Sequence, residues 1–192
     1  MVCCTCLAVW VALATAAFFI VRHYLEKLLL PNLEQRHVFV TGCDTGFGHL
    51  LALQLAKHNI PVFAGCFTEK GAEELKKKAK SLNQGKIETV QLDVTNQESV
   101  DKAFDTVKKS LGSNKGLWAL VNNAGAIGTN GPDDWLTVAD YQNIMEPNAL
   151  GVIRVTQKFK SLVKMEKGRI ITVASVAGRV PFASAGPYCM SK

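Results

Sequence analysis

Five short apolar runs, set apart by segments of helical period, limit what this chain can fold into more than any other feature. The runs are 37–41, 60–66, 86–92, 117–121 and 168–174. Between them, 46–59, 69–82, 96–111 and 139–164 carry apolar residues at three- and four-residue intervals, the spacing of an amphipathic helix. Strands that are apolar on both faces and alternate with helices must lie in a parallel sheet covered on both sides. Right-handed crossovers wind such a sheet into the doubly wound, Rossmann-type α/β class. No internal repeat or low-complexity segment interrupts residues 37–192, so they are expected to form one domain. In the first helix Phe47, Leu50, Leu51, Leu53, Leu55 and Ala56 are expected to face the sheet, and His49 and His58 the surface. The charged helix 69–82 offers Ala72, Leu75 and Ala79 as its apolar stripe, and 139–164 reads as one long helix.

The N-terminus has a different character. Val2 to Val21 carries no charge, and a helix of about 20 residues spans about 30 Å, one hydrocarbon thickness. Arg22, His23 and Lys27 follow, opposed by Glu26. A transmembrane signal anchor over 1–22 and a linker over 23–36 are expected, with the globular part on the cytosolic side of a single-pass helix. Ala14-Thr15-Ala16 supports a competing reading, a cleaved signal peptide; the missing basic n-region and the length of the run favour the anchor. The net charge of +6 comes partly from lysines within 70–80, where no aromatic residue interleaves. That pattern reads as a solvated helix face and argues against nucleic-acid binding. Cys43, Cys66 and Cys189 are scattered, and Cys3, Cys4 and Cys6 fall in the apolar run; no second closely spaced pair joins them to complete a metal-ligand set, so neither a metal site nor a disulfide framework is expected.

Two motifs carry chemistry. Thr41-Gly42-Cys43-Asp44-Thr45-Gly46-Phe47-Gly48 stands between the first strand and the first helix. Glycines in that context let the backbone turn tightly and approach a pyrophosphate at the helix N-terminus. At the other end, Tyr188 and Lys192 are four residues apart and share one helix face. A tyrosine ordinarily holds its proton up to pH ~10, so a phenol acting as a base near neutrality needs a cation beside it, and an ammonium one turn away supplies one. Ser175 closes the fifth strand, at the carboxyl end where ligands sit in such sheets.

Together with Asp93 after the third strand, Asn122-Asn123-Ala124-Gly125 after the fourth and Asn148 in the following helix, these residues resemble the short-chain dehydrogenase/reductase family. The match runs from about Val38 to Lys192, with intervals of 27 from Asn148 to Ser175 and 13 from Ser175 to Tyr188. Val40-Thr41-Gly42-Cys43-Asp44, Gly116-Leu117-Trp118-Ala119-Leu120 and Gly178-Arg179-Val180-Pro181 resemble its membrane-anchored retinol and hydroxysteroid dehydrogenase branch. That branch acts on apolar alcohols at the endoplasmic reticulum.

The resemblance implies roles. Tyr188 takes the proton from a secondary or allylic alcohol while hydride passes to nicotinamide. Lys192 assists the phenol and binds ribose hydroxyls, Ser175 holds the reacting oxygen, and Asn148 belongs to a proton relay. Thr41, Gly42, Asp44, Thr45, Gly46, Phe47, Gly48, Ala124 and Gly125 would surround the cofactor. Asp93 would meet its adenine end, with a helix-start role as the alternative; Asn122 would brace the sheet or line the channel. Cys189 and Met190 are expected to pack. The second strand ends in Gly65-Cys66-Phe67-Thr68-Glu69 with no basic residue before Lys70, and Asp44 would repel a 2′-phosphate, so NAD is favoured over NADP.

One position departs from the family pattern. Pro147 stands where an aliphatic residue is usual and removes a helix hydrogen bond, at a cost of about 3 kcal/mol unless a kink absorbs it. It would either be tolerated or displace Asn148. The chain stops at Lys192, where family members continue, so it is expected to be a fragment with the fifth strand as a bare edge. The favoured function is NAD-linked oxidation of a hydroxysteroid or retinol, with a homodimer as an open expectation. A catalytically silent nucleotide-binding or dimer-partner protein and an NADPH-linked carbonyl reductase remain as alternatives.

Overall fold

In the computed structural model, which describes residues 4–26, 32–81 and 86–192, the five expected strands form one parallel sheet in the order β3-β2-β1-β4-β5. They are β1 (Val38–Thr41), β2 (Val62–Cys66), β3 (Ile87–Gln91), β4 (Ala119–Asn122) and β5 (Arg169–Thr172). The order reverses between β1 and β4, which opens a crevice above their carboxyl ends. Register is continuous across it: Val38, Phe39 and Val40 face Ala119, Leu120 and Val121. This is the doubly wound sheet expected from the alternation of strands and helices. β5 lies at one edge with all four residues exposed.

Every residue of β1, β2 and β4 is buried, because helices cover both faces. On one face α2 (Gly46–Lys57) and α3 (Glu69–Ser81) pack through Ala52 and Leu75 onto Val40, Ala64 and Val121. On the other, α4 (Gln97–Leu111) and α6 (Gly151–Met165) bring Val100, Val107, Val155 and Phe159 onto Phe39, Phe63 and Leu120. Phe159 stacks on Phe39 at 4.6 Å between centroids and meets the edge of Phe104 at 5.4 Å. The start of α4 is set by Asn96, whose side chain accepts from the Ser99 amide at 3.1 Å. Just before β4, the Trp118 ring meets the guanidinium groups of Arg36 and Arg169, at 5.2 and 4.2 Å from its centroid.

Three expectations need correction. α2 has the expected period but buries Gly48, His49, Ala52 and Ala56, while Phe47 and Leu50 are exposed. Small residues take the most buried positions because they let the helix backbone come close to the sheet, while Leu51, Leu53 and Leu55 pack half-buried along its sides. His49 is therefore a buried residue, its Nδ1 lying 3.2 Å from the Cys43 carbonyl. The segment expected as one helix is α5 (Val138–Met145), a π turn (Glu146–Leu150) and α6.

The chain divides into two units, Met1–Asn32 and Leu33–Lys192, and the first contributes one described helix. Its helix α1 (Cys4–Glu26) contains a 20-residue stretch, Cys6–Leu25, of mean hydropathy 1.8, with its side chains exposed throughout. Cys3 and residues 27–31 of the expected linker, with Lys27 of its basic flank, lie outside the described residues.

Candidate active site

The glycine-rich loop is fastened to the turn after β4 by side chains of both segments. Thr41, buried at the end of β1, accepts from the amides of Asn123 and Ala124 at 3.0 Å each. Asn123 answers with its own amide, donating to the carbonyls of Thr41 at 2.9 Å and Gly42 at 3.0 Å. Gly42 has φ +70°, and a Cβ there would lie 2.7 Å from the Ala124 Cα. A Cβ on Gly48 would run into the Gly42 carbonyl oxygen and the Asn123 amide nitrogen. Asn123 is thus a structural centre of the site that motif reading passed over; its place in Asn122-Asn123-Ala124-Gly125 was the available signal.

Gly46 is different. Its φ is +61°, and nothing lies within 4 Å of where a Cβ would be. Thr45, the residue before α2, makes no side-chain capping bond. The first amides of a helix have no partner inside it and bear partial positive charge. Open space beside uncapped amides at Thr45, Gly46 and Phe47 is a setting that can receive a pyrophosphate.

Asp44 does not face that space with a free carboxylate. It accepts from the Phe67 amide, the Thr68 amide and the Thr68 hydroxyl at 2.8, 2.8 and 2.7 Å. Asp93 is likewise engaged locally, its Oδ1 accepting from the Thr95 amide at 2.9 Å and hydroxyl at 2.7 Å in a turn that precedes α4, whose cap is Asn96. Asn122 is buried and braces α6 by donating to the Thr156 hydroxyl at 2.9 Å, while its Oδ1 has no partner. Cys43 and Cys66, buried behind the loop, are neutral thiols: burial pushes Cys66 up to about 12 and Cys43 further.

Pro147 is absorbed by the π turn. The Gly151 amide bonds the Glu146 carbonyl, five residues back, and the flanking Met145 and Leu150 keep helical dihedrals. Glu146 is also tied to Arg154 at 3.2 Å, and Arg154 donates to the Val94 carbonyl at 2.6 Å. Asn148 lies within this turn. It is buried, accepts from the Ala126 amide at 2.8 Å, and donates to the Ala126 carbonyl at 2.9 Å and the Ser191 hydroxyl at 2.8 Å.

Ser191 links Asn148 to the helix α7 (Gly186–Ser191), since its hydroxyl donates in turn to the Tyr188 carbonyl at 2.8 Å. The Lys192 ammonium lies 5.8 Å from the Tyr188 ring centroid and 3.4 Å from the Val173 carbonyl. Gly125 makes the approach of these groups possible: a Cβ there would lie 2.8 Å from Asn148 Oδ1 and 3.2 Å from Lys192 Nζ. Ser175 is half-buried and accepts from the Ala177 amide at 3.2 Å, so its own hydrogen is left to donate. The turn that follows, Val176–Gly178, abuts the Lys192 carbonyl, where a Cβ on Gly178 would intrude. Between the pair, Cys189 is half-buried and accepts from the Phe182 amide at 3.3 Å, whereas Met190 is exposed rather than packed.

The motif search did not single out Ser191, because a serine before Lys192 is unremarkable until Asn148 is seen opposite it. Ser191→Ala removes both of its bonds and leaves a buried amide hydrogen short of a partner. It is expected to cost about 1–3 kcal/mol, read as a lowered urea midpoint at unchanged m-value.

Comparison with known proteins agrees with this geometry. The family model for short chain dehydrogenase matches residues 36–192. "Retinol dehydrogenase 16" of Rattus norvegicus is 44% identical over 173 residues, 90% of this chain and 53% of that protein. "17-beta-hydroxysteroid dehydrogenase type 6" of Homo sapiens is 42% identical over 185 residues, 95% of this chain and 56% of that one. The chain thus spans about half the length of the curated relatives it matches. Among solved structures, levodione reductase superposes with a TM-score of 0.76 at 22% identity, over 82% of this chain and 60% of that one, a likeness of fold. With a family model that covers its whole dehydrogenase-like domain and a sheet of the matching order, the chain belongs to the short-chain dehydrogenase family.

Proposed function

We propose that the whole protein oxidises an apolar secondary or allylic alcohol, a hydroxysteroid or retinol, with NAD as the hydride acceptor and Tyr188 as the general base. The observation that carries this reading is the convergence on Gly125: Asn148 and Lys192 meet there, and Ser191 ties Asn148 to the backbone of Tyr188. Relatives named for retinol and for a 17-beta-hydroxysteroid support the substrate class.

A nicotinamide dinucleotide, when bound, supplies the acceptor for the hydride that leaves the alcohol carbon. The residues of the chain do the rest. Thr41 and Asn123 hold the loop in the shape that leaves its amides open. Ser175 donates to the reacting oxygen, Tyr188 takes the hydroxyl proton as the carbonyl forms, and Lys192 places positive charge beside the phenol. Asn148, held on three hydrogen bonds despite Pro147, supports an active relay over a silent protein. The helix over Cys6–Leu25 would anchor the enzyme as a single-pass protein of the endoplasmic reticulum membrane, with the catalytic domain towards the cytosol, near its apolar substrates. The test is reduced-nucleotide formation by the full-length protein in membranes, offered NAD with a panel of hydroxysteroids and retinol. Turnover of at least one alcohol is expected; no turnover of any would reject the reading.

A further inference from the structure

The carboxylate of Asp44 reaches across from the glycine-rich loop to the turn between β2 and α3. There it takes the amides of Phe67 and Thr68 and the Thr68 hydroxyl, all within 2.8 Å. Thr68 in turn accepts from the Gly71 amide at 3.0 Å, so the first turn of α3 is drawn into the same cluster. Gly71 is what permits the approach: a Cβ on it would lie 2.6 Å from Asp44 Oδ1 and 2.9 Å from the Asp44 Cα. The end of the second strand is the region where the 2′ position of an adenosine ribose is met in doubly wound sheets. The geometry of the donors there, two successive amides and a hydroxyl at a helix start, is also that of a phosphate site. Here a protein carboxylate already fills it. Gln91 closes the far side by donating to the Phe67 carbonyl.

We infer that Asp44 is the residue that restricts this protein to a nucleotide with a free 2′-hydroxyl, acting as a built-in anion that occupies the seat a 2′-phosphate would need. This rests on the nucleotide-binding reading above and adds to it the device of selection. That device is unlike an acidic residue at the end of β2, which this chain lacks: the strand ends in Gly65-Cys66 and runs on into Phe67-Thr68. The acid comes instead from the loop 23 residues earlier than the amide it holds at Phe67. It excludes a 2′-phosphate in two ways, by like charge and by withholding the donors.

Binding of NAD and NADP to the full-length protein, followed by tryptophan fluorescence or calorimetry, tests this on the wild type, Asp44→Asn, Asp44→Ser and Asp44→Glu. The wild type is expected to favour NAD, and the ratio of the two dissociation constants is expected to move towards NADP at least tenfold in the Asn and Ser variants. Asp44→Glu, which keeps the charge, should retain the preference. If NAD binds but the neutral variants weaken both nucleotides by one common factor, the inference is overturned while the nucleotide reading stands. It is equally overturned if neither neutral variant folds, by circular dichroism, since Asp44 would then be a structural staple only. Failure of the wild type to bind either nucleotide would sink both readings together.

Discussion

Tyr188→Phe is expected to lower kcat by about 10²- to 10⁴-fold while leaving nucleotide affinity and thermal stability near wild type. The asymmetry follows from what holds the residue. Its backbone carbonyl accepts from Ser191, and α7 is secured further by the bond from Asn148 to Ser191. None of these bonds involves the phenol, whose hydroxyl has no hydrogen-bond partner among the described residues. Phenylalanine keeps the ring over which the Lys192 ammonium sits at 5.8 Å, so the ammonium stays beside it. Only the proton acceptor is lost. The measurement is initial-rate kinetics on the best alcohol of the panel, with the nucleotide dissociation constant and Tm taken on the same preparation. Equal kcat in the two proteins would reject Tyr188 as the base. A fall in kcat accompanied by a fall in Tm would instead show that the hydroxyl supports the fold.

The strands were legible because each is apolar on both faces, a pattern that only a covered parallel sheet satisfies. The candidate site residues stood out by their ordered spacing, and the fold brings three of them, Gly125, Asn148 and Lys192, together. What the pattern could not reveal is which partner each polar group chooses. Asp44 suggested a repulsive charge near the ribose; that its carboxylate is bound to Phe67 and Thr68 depends on Gly71, a glycine with no mark of its own in the sequence. Pro147 signalled a broken hydrogen bond, and whether the chain would kink or widen into a π turn depended on Arg154 and Val94, packed against that turn. The face of α2 was misjudged for a related reason. Hydrophobicity points to Phe47 and Leu50, but close approach to the sheet selects Gly48, Ala52 and Ala56. His49 follows from the same geometry, one residue after Gly48 and turned towards the Cys43 carbonyl.

Two alanine substitutions in the glycine-rich loop are expected to fail in opposite ways. Gly42→Ala should destabilise the fold by about 2–5 kcal/mol. Holding an alanine at φ +70° contributes about 1–2 kcal/mol of this. The rest comes from a Cβ forced to 2.7 Å from the Ala124 Cα, a clash of backbone with backbone that no rotamer relieves, at about 1–3 kcal/mol. Relief requires the loop to move off the β4 turn, which stretches the Thr41 and Asn123 bonds that fasten it there. The urea midpoint should therefore drop substantially, and nucleotide binding with it. Gly46→Ala shares the positive φ, at +61°, but its Cβ would project into space with nothing within 4 Å. Its stability should fall by only about 1–2 kcal/mol. Yet that space is where a pyrophosphate would meet the start of α2, so nucleotide affinity should fall more than tenfold in a protein that remains folded. If Gly46→Ala binds NAD as the wild type does, the pyrophosphate does not lie there, and the role given to the open end of α2 is wrong.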